Sequence, residues 1–75
     1  MDRKILIQTV ELQLGRKKVN IEDRFFEDLG AESFDMVNLV VAIESLTGIF
    51  IPEDFIPELK TVQDLENYII SLQQK

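Results

Sequence analysis

The chain has 75 residues, 45% of them hydrophobic, with no cysteine, no histidine and a formal charge of −6. That size allows one small domain with a modest core, and the apolar content is too high for a disordered chain. Lack of cysteine excludes disulfides and thiolate metal sites and suits the cytoplasm, no apolar run is long enough for a signal peptide or membrane span, and an acidic surface disfavours nucleic acid and anionic lipid.

The charge is uneven along the chain. Residues 1–18 hold Arg3, Lys4, Arg16, Lys17 and Lys18 against two acids, whereas residues 19–66 hold twelve acids against two bases. Such a face suits partners with basic patches, but solvation accounts for it equally well. A small acidic chain is most simply a monomer.

The first periodic segment covers residues 2–14, where Leu6, Val10 and Leu14 recur at helical spacing with Ile7 beside them. Asp2 predicts an N-cap and Gly15 a C-terminal stop. Residues 16–32 form a connection too long for an idle loop, and Val19, Ile21, Phe25, Phe26 and Leu29 predict that it folds down onto the helices. Asn20 is expected to cap a short turn over residues 21–24, and Gly30 to supply a backbone angle that other residues resist.

A second helix is predicted over residues 34–46, with Ser33 as N-cap and Gly48 just past its end. Nine of those thirteen residues are hydrophobic, which predicts burial on most sides. Asp35, Asn38, Ala42 and Ser45 form a narrow stripe that continues the line of Ser33, with Val41 flanking it. Residues 49–52 read as extended before Pro52, and a short helix or turn over residues 53–58 is limited by Pro57. Thr61 caps the last helix with Asp64 at its third position, and Val62, Leu65, Ile69 and Leu72 make its apolar stripe. The expected fold is all-α, a three-to-four-helix bundle with a long loop between helices 1 and 2.

Catalytic groups are scarce. A serine nucleophile would have only carboxylates and scattered lysines as base, and no Walker loop, zinc spacing or Rossmann glycine pattern occurs. Glu27, Asp28, Glu32 and Asp35 do not follow calcium-loop spacing. The chain is not expected to be an enzyme.

Residues 25–37 stand out: Phe-Phe-Glu-Asp-Leu-Gly-Ala-Glu-Ser-Phe-Asp-Met-Val. This run resembles the acyl carrier protein signature, in which acidic-Leu-Gly-Ala-acidic leads into Ser, a hydrophobic residue and Asp. The likeness covers nearly the whole chain. Val37, Leu39, Val40, Ala42, Ile43 and Glu44 look like the family's second helix, Gly48-Ile49 with Ile51-Pro52-Glu53-Asp54 like its next turn, and residues 61–65 with Tyr68-Ile69 like its last helix.

The resemblance implies that Ser33 is the attachment point of 4'-phosphopantetheine, installed from coenzyme A by a phosphopantetheinyl transferase using magnesium. The arm's thiol then holds acyl groups as thioesters for acyl ligases, synthases or acyltransferases. An N-cap role alone would explain an arbitrary serine here; inside this motif, attachment is the stronger reading. The family docks partners on the second helix, which implies Glu32, Phe34, Asp35, Met36, Asn38, Val41, Ser45 and Phe50 as docking residues, with Met36 equally readable as core. Candidate acyl-chain lining residues are Val40, Ile43, Ile51, Ile56 and Ile69, each also explicable as core packing.

The chain departs from the family pattern in places. Glu32-Ser33-Phe34 replaces the usual Asp-Ser-Leu, and Asn38, Ser45, Leu46 and Phe50 stand where carriers of fatty acid synthesis often have acids. Phe55 and Pro57 are also unusual. The chain is expected to carry acyl groups in fatty acid, specialised lipid or polyketide synthesis, and the changed docking face points to a specialised carrier, for example in a secondary lipid, lipopolysaccharide or polyketide pathway, rather than the main one of fatty acid synthesis. The opening Met and the short stretch after the last helix suggest a free-standing carrier, with an excised module of a larger synthase as the alternative. The alternatives are an aminoacyl or D-alanyl carrier and an unmodified helical interaction module.

Overall fold

The computed structural model describes residues 1–73. The described residues form three α-helices and one short 3-10 helix: α1 (Arg3–Leu14), α2 (Ser33–Thr47), the 3-10 helix (Glu53–Glu58) and α3 (Val62–Gln73). No helix among the described residues is long and apolar enough to cross a membrane.

Local chemistry sets the helix ends. At the start of α1, an Asp2 carboxylate oxygen accepts the Lys4 N–H at 2.9 Å. Both α1 and α2 end on glycines in the left-handed region, Gly15 at φ 64° and Gly48 at φ 72°, where a side chain would be strained. At α3 the Thr61 hydroxyl accepts the Asp64 N–H at 3.0 Å, and the Asp64 carboxylate accepts the Thr61 N–H at 3.0 Å. That reciprocal cap is the one expected from the Thr61-x-x-Asp64 spacing. The 3-10 helix accommodates Pro57 inside it.

The core gathers Leu6 and Val10 of α1, Met36, Leu39, Val40 and Ile43 of α2, and Val62, Leu65 and Ile69 of α3. In α2 these positions repeat at spacings of three, one and three, a single stripe of one helix face. The expectation that α2 is buried on most sides is therefore corrected: Phe34, Val37, Val41 and Leu46 face solvent. Its apolar excess exceeds what one inward stripe uses.

The long connection is built onto the bundle. Phe25 is 0% exposed, and Val19 and Leu29 are buried beside the helices. Phe26, expected to fold inward, is instead 47% exposed. The Phe25 N–H donates to the Lys60 carbonyl at 2.9 Å, Val62 N–H to Asp23 at 3.0 Å, and Gln63 N–H to Ile21 at 2.8 Å. Arg24 and Thr61 thus form an isolated antiparallel bridge between the connection and the start of α3. Asn20 does not cap its turn with its side chain. Its carbonyl accepts the Asp23 N–H at 3.0 Å, and the Asp23 carboxylate accepts the Asn20 N–H at 2.8 Å. Asp23 provides the cap because its charged oxygen is the stronger acceptor.

A two-pronged ion pair joins the chain ends. Arg3 donates through Nε and Nη2 to the two oxygens of Glu66, both at 2.7 Å. The Arg3 hydrogen bond holds the Glu66 carboxyl below its ordinary range; burial opposes this, and the Gln63 amide adds to it. The unfolded state then binds protons more tightly than the folded state. This contribution is present above the unfolded carboxylate value and fades as pH falls through the folded one. Urea unfolding at about pH 7 and about pH 3 should show Glu66→Gln less stable than the parent at the higher pH, with the gap narrowing at the lower. In the same assay, Phe25→Ala should cost about 3 kcal/mol or more, because it empties a fully buried site.

Candidate functional site

The segment that leads into α2 places Ser33. The Ala31 N–H donates to the Phe25 carbonyl at 2.9 Å, so the fully buried Phe25 holds the chain two residues before the serine. Gly30, at φ 67°, makes the turn between buried Leu29 and buried Ala31. Glu32 is extended, and its carbonyl accepts the Met36 N–H at 3.2 Å. Glu32, not Ser33, is therefore the N-cap, and Ser33 is the first residue of the helix.

This correction matters for the chemistry. The Asp35 carboxylate accepts the Glu32 N–H at 2.8 Å. Capping runs through Glu32 and Asp35, which leaves the Ser33 hydroxyl outside it. Ser33 is exposed at the positive end of a fifteen-residue helix. A phosphate ester fits there, since first-turn N–H groups face it.

Ser33 lies on a groove of about 340 Å³ between α2 and the 3-10 helix, walled by Phe26, Met36, Val37, Ile56 and Pro57, with Glu53 as its charged member. A second groove of about 260 Å³ shares Val37, Glu53 and Ile56 and continues past Val40, Val41 and Ile51 to Phe50. Another, of about 300 Å³ between the 3-10 helix and α3, includes the packed rings of Phe55 and Tyr68 but not Ser33. The apolar walls beside Ser33 fit a flexible arm with an acyl load. Among the described residues no cluster of acids could hold a metal ion.

Among the expected docking positions, Val41 and Phe50 border the second groove. Glu32, Phe34, Asn38, Val41, Ser45 and Phe50 are exposed, and Asp35 is half-buried in its capping role. Met36 is corrected: at 1% exposure it presents no docking surface and packs in the core. Of the expected acyl-lining residues, Val40, Ile51 and Ile56 border the second groove. Ile43 and Ile69 do not border the described grooves, because the core closes over both side chains.

Two contributors were missed. Val37 borders both grooves, and Glu53 does the same from the other wall. Val37 was legible, since it lies three residues after Phe34 and four before Val41 on one helix face. Glu53 carried no local signal, because its place depends on how the 3-10 helix packs against α2.

Upstream, Arg24 gathers the loop acids. Its guanidinium reaches Glu27 at 3.0 Å and Asp28 at 3.1 Å. The hydrogen bonds from Arg24 hold the Asp28 carboxyl below its ordinary range.

Comparison with known proteins bears directly on this arrangement. A family pattern described as "Phosphopantetheine attachment site" matches residues 4–69. The "Acyl carrier protein" of Helicobacter hepaticus is 42% identical over 59 residues, covering 79% of this chain and 78% of that protein. That of Campylobacter lari is 35% identical over 72 residues, covering 96% of this chain and 91% of that protein. That of Bdellovibrio bacteriovorus is 42% identical over 59 residues, covering 79% and 76% respectively. The pattern spans most of the chain, and the chain belongs to the acyl carrier protein family, whose members carry covalent 4'-phosphopantetheine and are carriers rather than catalysts.

Proposed function

We propose that Ser33 bears the 4'-phosphopantetheine arm and that the chain uses it to hold acyl groups for successive enzymes. The observation that carries this reading is the exposed Ser33 hydroxyl at the start of α2, outside the cap bonds and on the lip of an apolar groove. When attached, the arm supplies a thiol for thioester linkage. The protein's own part is positional: Glu32 and Asp35 fix the helix end, and the Phe25-anchored loop sets where it points.

The transferase must approach over the first turns of α2. Phe34, Asn38, Val41 and Ser45 form the exposed face it would meet, with Glu32 at the head. The groove bordered by Val40, Ile51 and Ile56 offers apolar shelter to a load. Exposed Asn38, Ser45, Leu46 and Phe50, in place of acids, support service to a dedicated enzyme set in a secondary lipid or polyketide pathway rather than in bulk fatty acid synthesis.

The test is an intact mass after incubation with coenzyme A, magnesium and a broad-specificity phosphopantetheinyl transferase. The parent should gain one phosphopantetheine unit, and Ser33→Ala should gain none while keeping its helical signal, because the cap does not use the hydroxyl. No gain from folded, unmodified parent, or an equal gain in the variant, overturns the assignment. For the pathway, comparable turnover of the loaded carrier by bulk fatty acid synthase enzymes and by a dedicated set would contradict specialisation.

A further inference from the structure

The first eighteen residues carry charge opposite in sign to the rest: five bases stand there against Asp2 and Glu11, while residues 19–66 hold twelve acids against two bases. Both of those acids are engaged. The Asp2 carboxylate accepts the Lys4 N–H at 2.9 Å, and the Glu11 carboxylate accepts the Val19 N–H at 3.0 Å. Arg3 is held by Glu66. Lys4, Arg16, Lys17 and Lys18 are exposed and make no ion pair among the described residues. Lys18 also sits at φ 58°, a left-handed conformation that strains a residue with a side chain.

Apolar side chains accompany these bases. Leu12 is 79% exposed, the most of any large hydrophobe among the described residues, and Ile5 is 45% exposed. With Gln8 they recur at spacings of three and four and so share one face of α1, distinct from the face that buries Leu6 and Val10. Lys4 lies four residues before Gln8 on that face, and Arg16 follows Leu12 by four, just past the helix end. Stabilisation of the helix dipole does not explain the bases, since none lies in the last turn of α1. Solvation of a charge run does not explain Leu12.

Charge identifies what covers this face. A helix that lies on a membrane needs a broad apolar face, whereas α1 offers two exposed apolar side chains parted by Gln8, and a net charge of −6 opposes approach to anionic headgroups. Two copies related by a two-fold axis would set bases against bases. The complementary surface is a protein with an apolar recess bordered by carboxylates. No α1 residue borders either groove beside Ser33, so this face and the modification site are separate surfaces.

We infer that the outer face of α1, with Ile5 and Leu12 at its centre and Lys4, Arg16, Lys17 and Lys18 at its margin, docks an acidic protein partner and so tethers the carrier without engaging the surface around Ser33. The apolar pair holds the contact, and the unpaired bases select an acidic partner and reject a basic one.

The test titrates the full, isotope-labelled chain with a synthetic amphipathic helical peptide, leucine on one face and glutamate on the other, read by residue-resolved amide shifts. Shifts are expected at Ile5, Gln8, Leu12 and residues 16–18. Leu12→Ser, checked for unchanged thermal melting, should raise the peptide's Kd about fivefold or more. Arg16→Gln combined with Lys17→Gln should raise it about tenfold at about 50 mM sodium chloride. Both variants should accept phosphopantetheine at the parent's rate, and a parent that is never modified counts against the Ser33 assignment alone. The inference is overturned if about 1 mM peptide shifts none of these amides, if the shifts fall only on other elements, or if Leu12→Ser leaves Kd unchanged. Cosedimentation with vesicles of mixed phosphatidylglycerol and phosphatidylcholine that Leu12→Ser abolishes would give the face to lipid and overturn it. Self-association of the parent that Leu12→Ser abolishes would give the face to a second copy and overturn it too.

Discussion

The position of Ser33 depends on how one side chain, Phe25, is locked into the core. Phe25 is fully buried, its N–H donates to the Lys60 carbonyl at 2.9 Å, and its carbonyl accepts the Ala31 N–H at 2.9 Å. One residue thus ties the long connection to the start of α3 on one side and to the start of α2 on the other. A seventeen-residue connection left loose would lose little chain entropy, but it would not hold a helix end in place. Burying an aromatic ring and pairing both of its backbone groups supplies the fixed point.

α2 then serves two purposes with one composition. Its inward stripe of Met36, Leu39, Val40 and Ile43 joins the core, while Phe34, Val37 and Val41 point outward. The outward set stays 42–61% exposed and lies outside the buried core. Glu32 and Asp35 are spent on the helix end, so the serine need not serve as its own cap and its hydroxyl remains available.

Much of this was legible before folding. The helix ends were punctuated by Asp2, Gly15, Gly48 and the Thr61–Asp64 pair, whose roles follow from short-range geometry. The motif singled out Ser33, and its exposure at the start of α2 supports the proposed role. Of the readings that the structure corrects, three show the physical reason most plainly. Serine ranks above glutamate as an N-cap, yet the Asp35 carboxylate reaches the Glu32 N–H and shifts the cap one residue back. Phe25 and Phe26 are adjacent and identical, and which ring turns inward goes with non-local pairing, the Phe25 N–H bonding the Lys60 carbonyl and its carbonyl the Ala31 N–H. In α2 the apolar residues outnumber one face, so composition suggested burial all round. The inward stripe of Met36, Leu39, Val40 and Ile43, at spacings of three, one and three, was open to reading from the sequence but was masked by the other apolar residues around it.

The most direct measurement is residue-resolved amide hydrogen exchange on the unmodified protein. If the connection is fastened as described, the amides of Phe25, Val62 and Gln63 exchange about as slowly as those of Leu39 and Ile43 in α2, because opening them requires losing the buried ring. Fast exchange at Phe25, Val62 and Gln63 beside a protected α2 would mean the connection is not fastened. The account of how the fold places Ser33 would then be wrong.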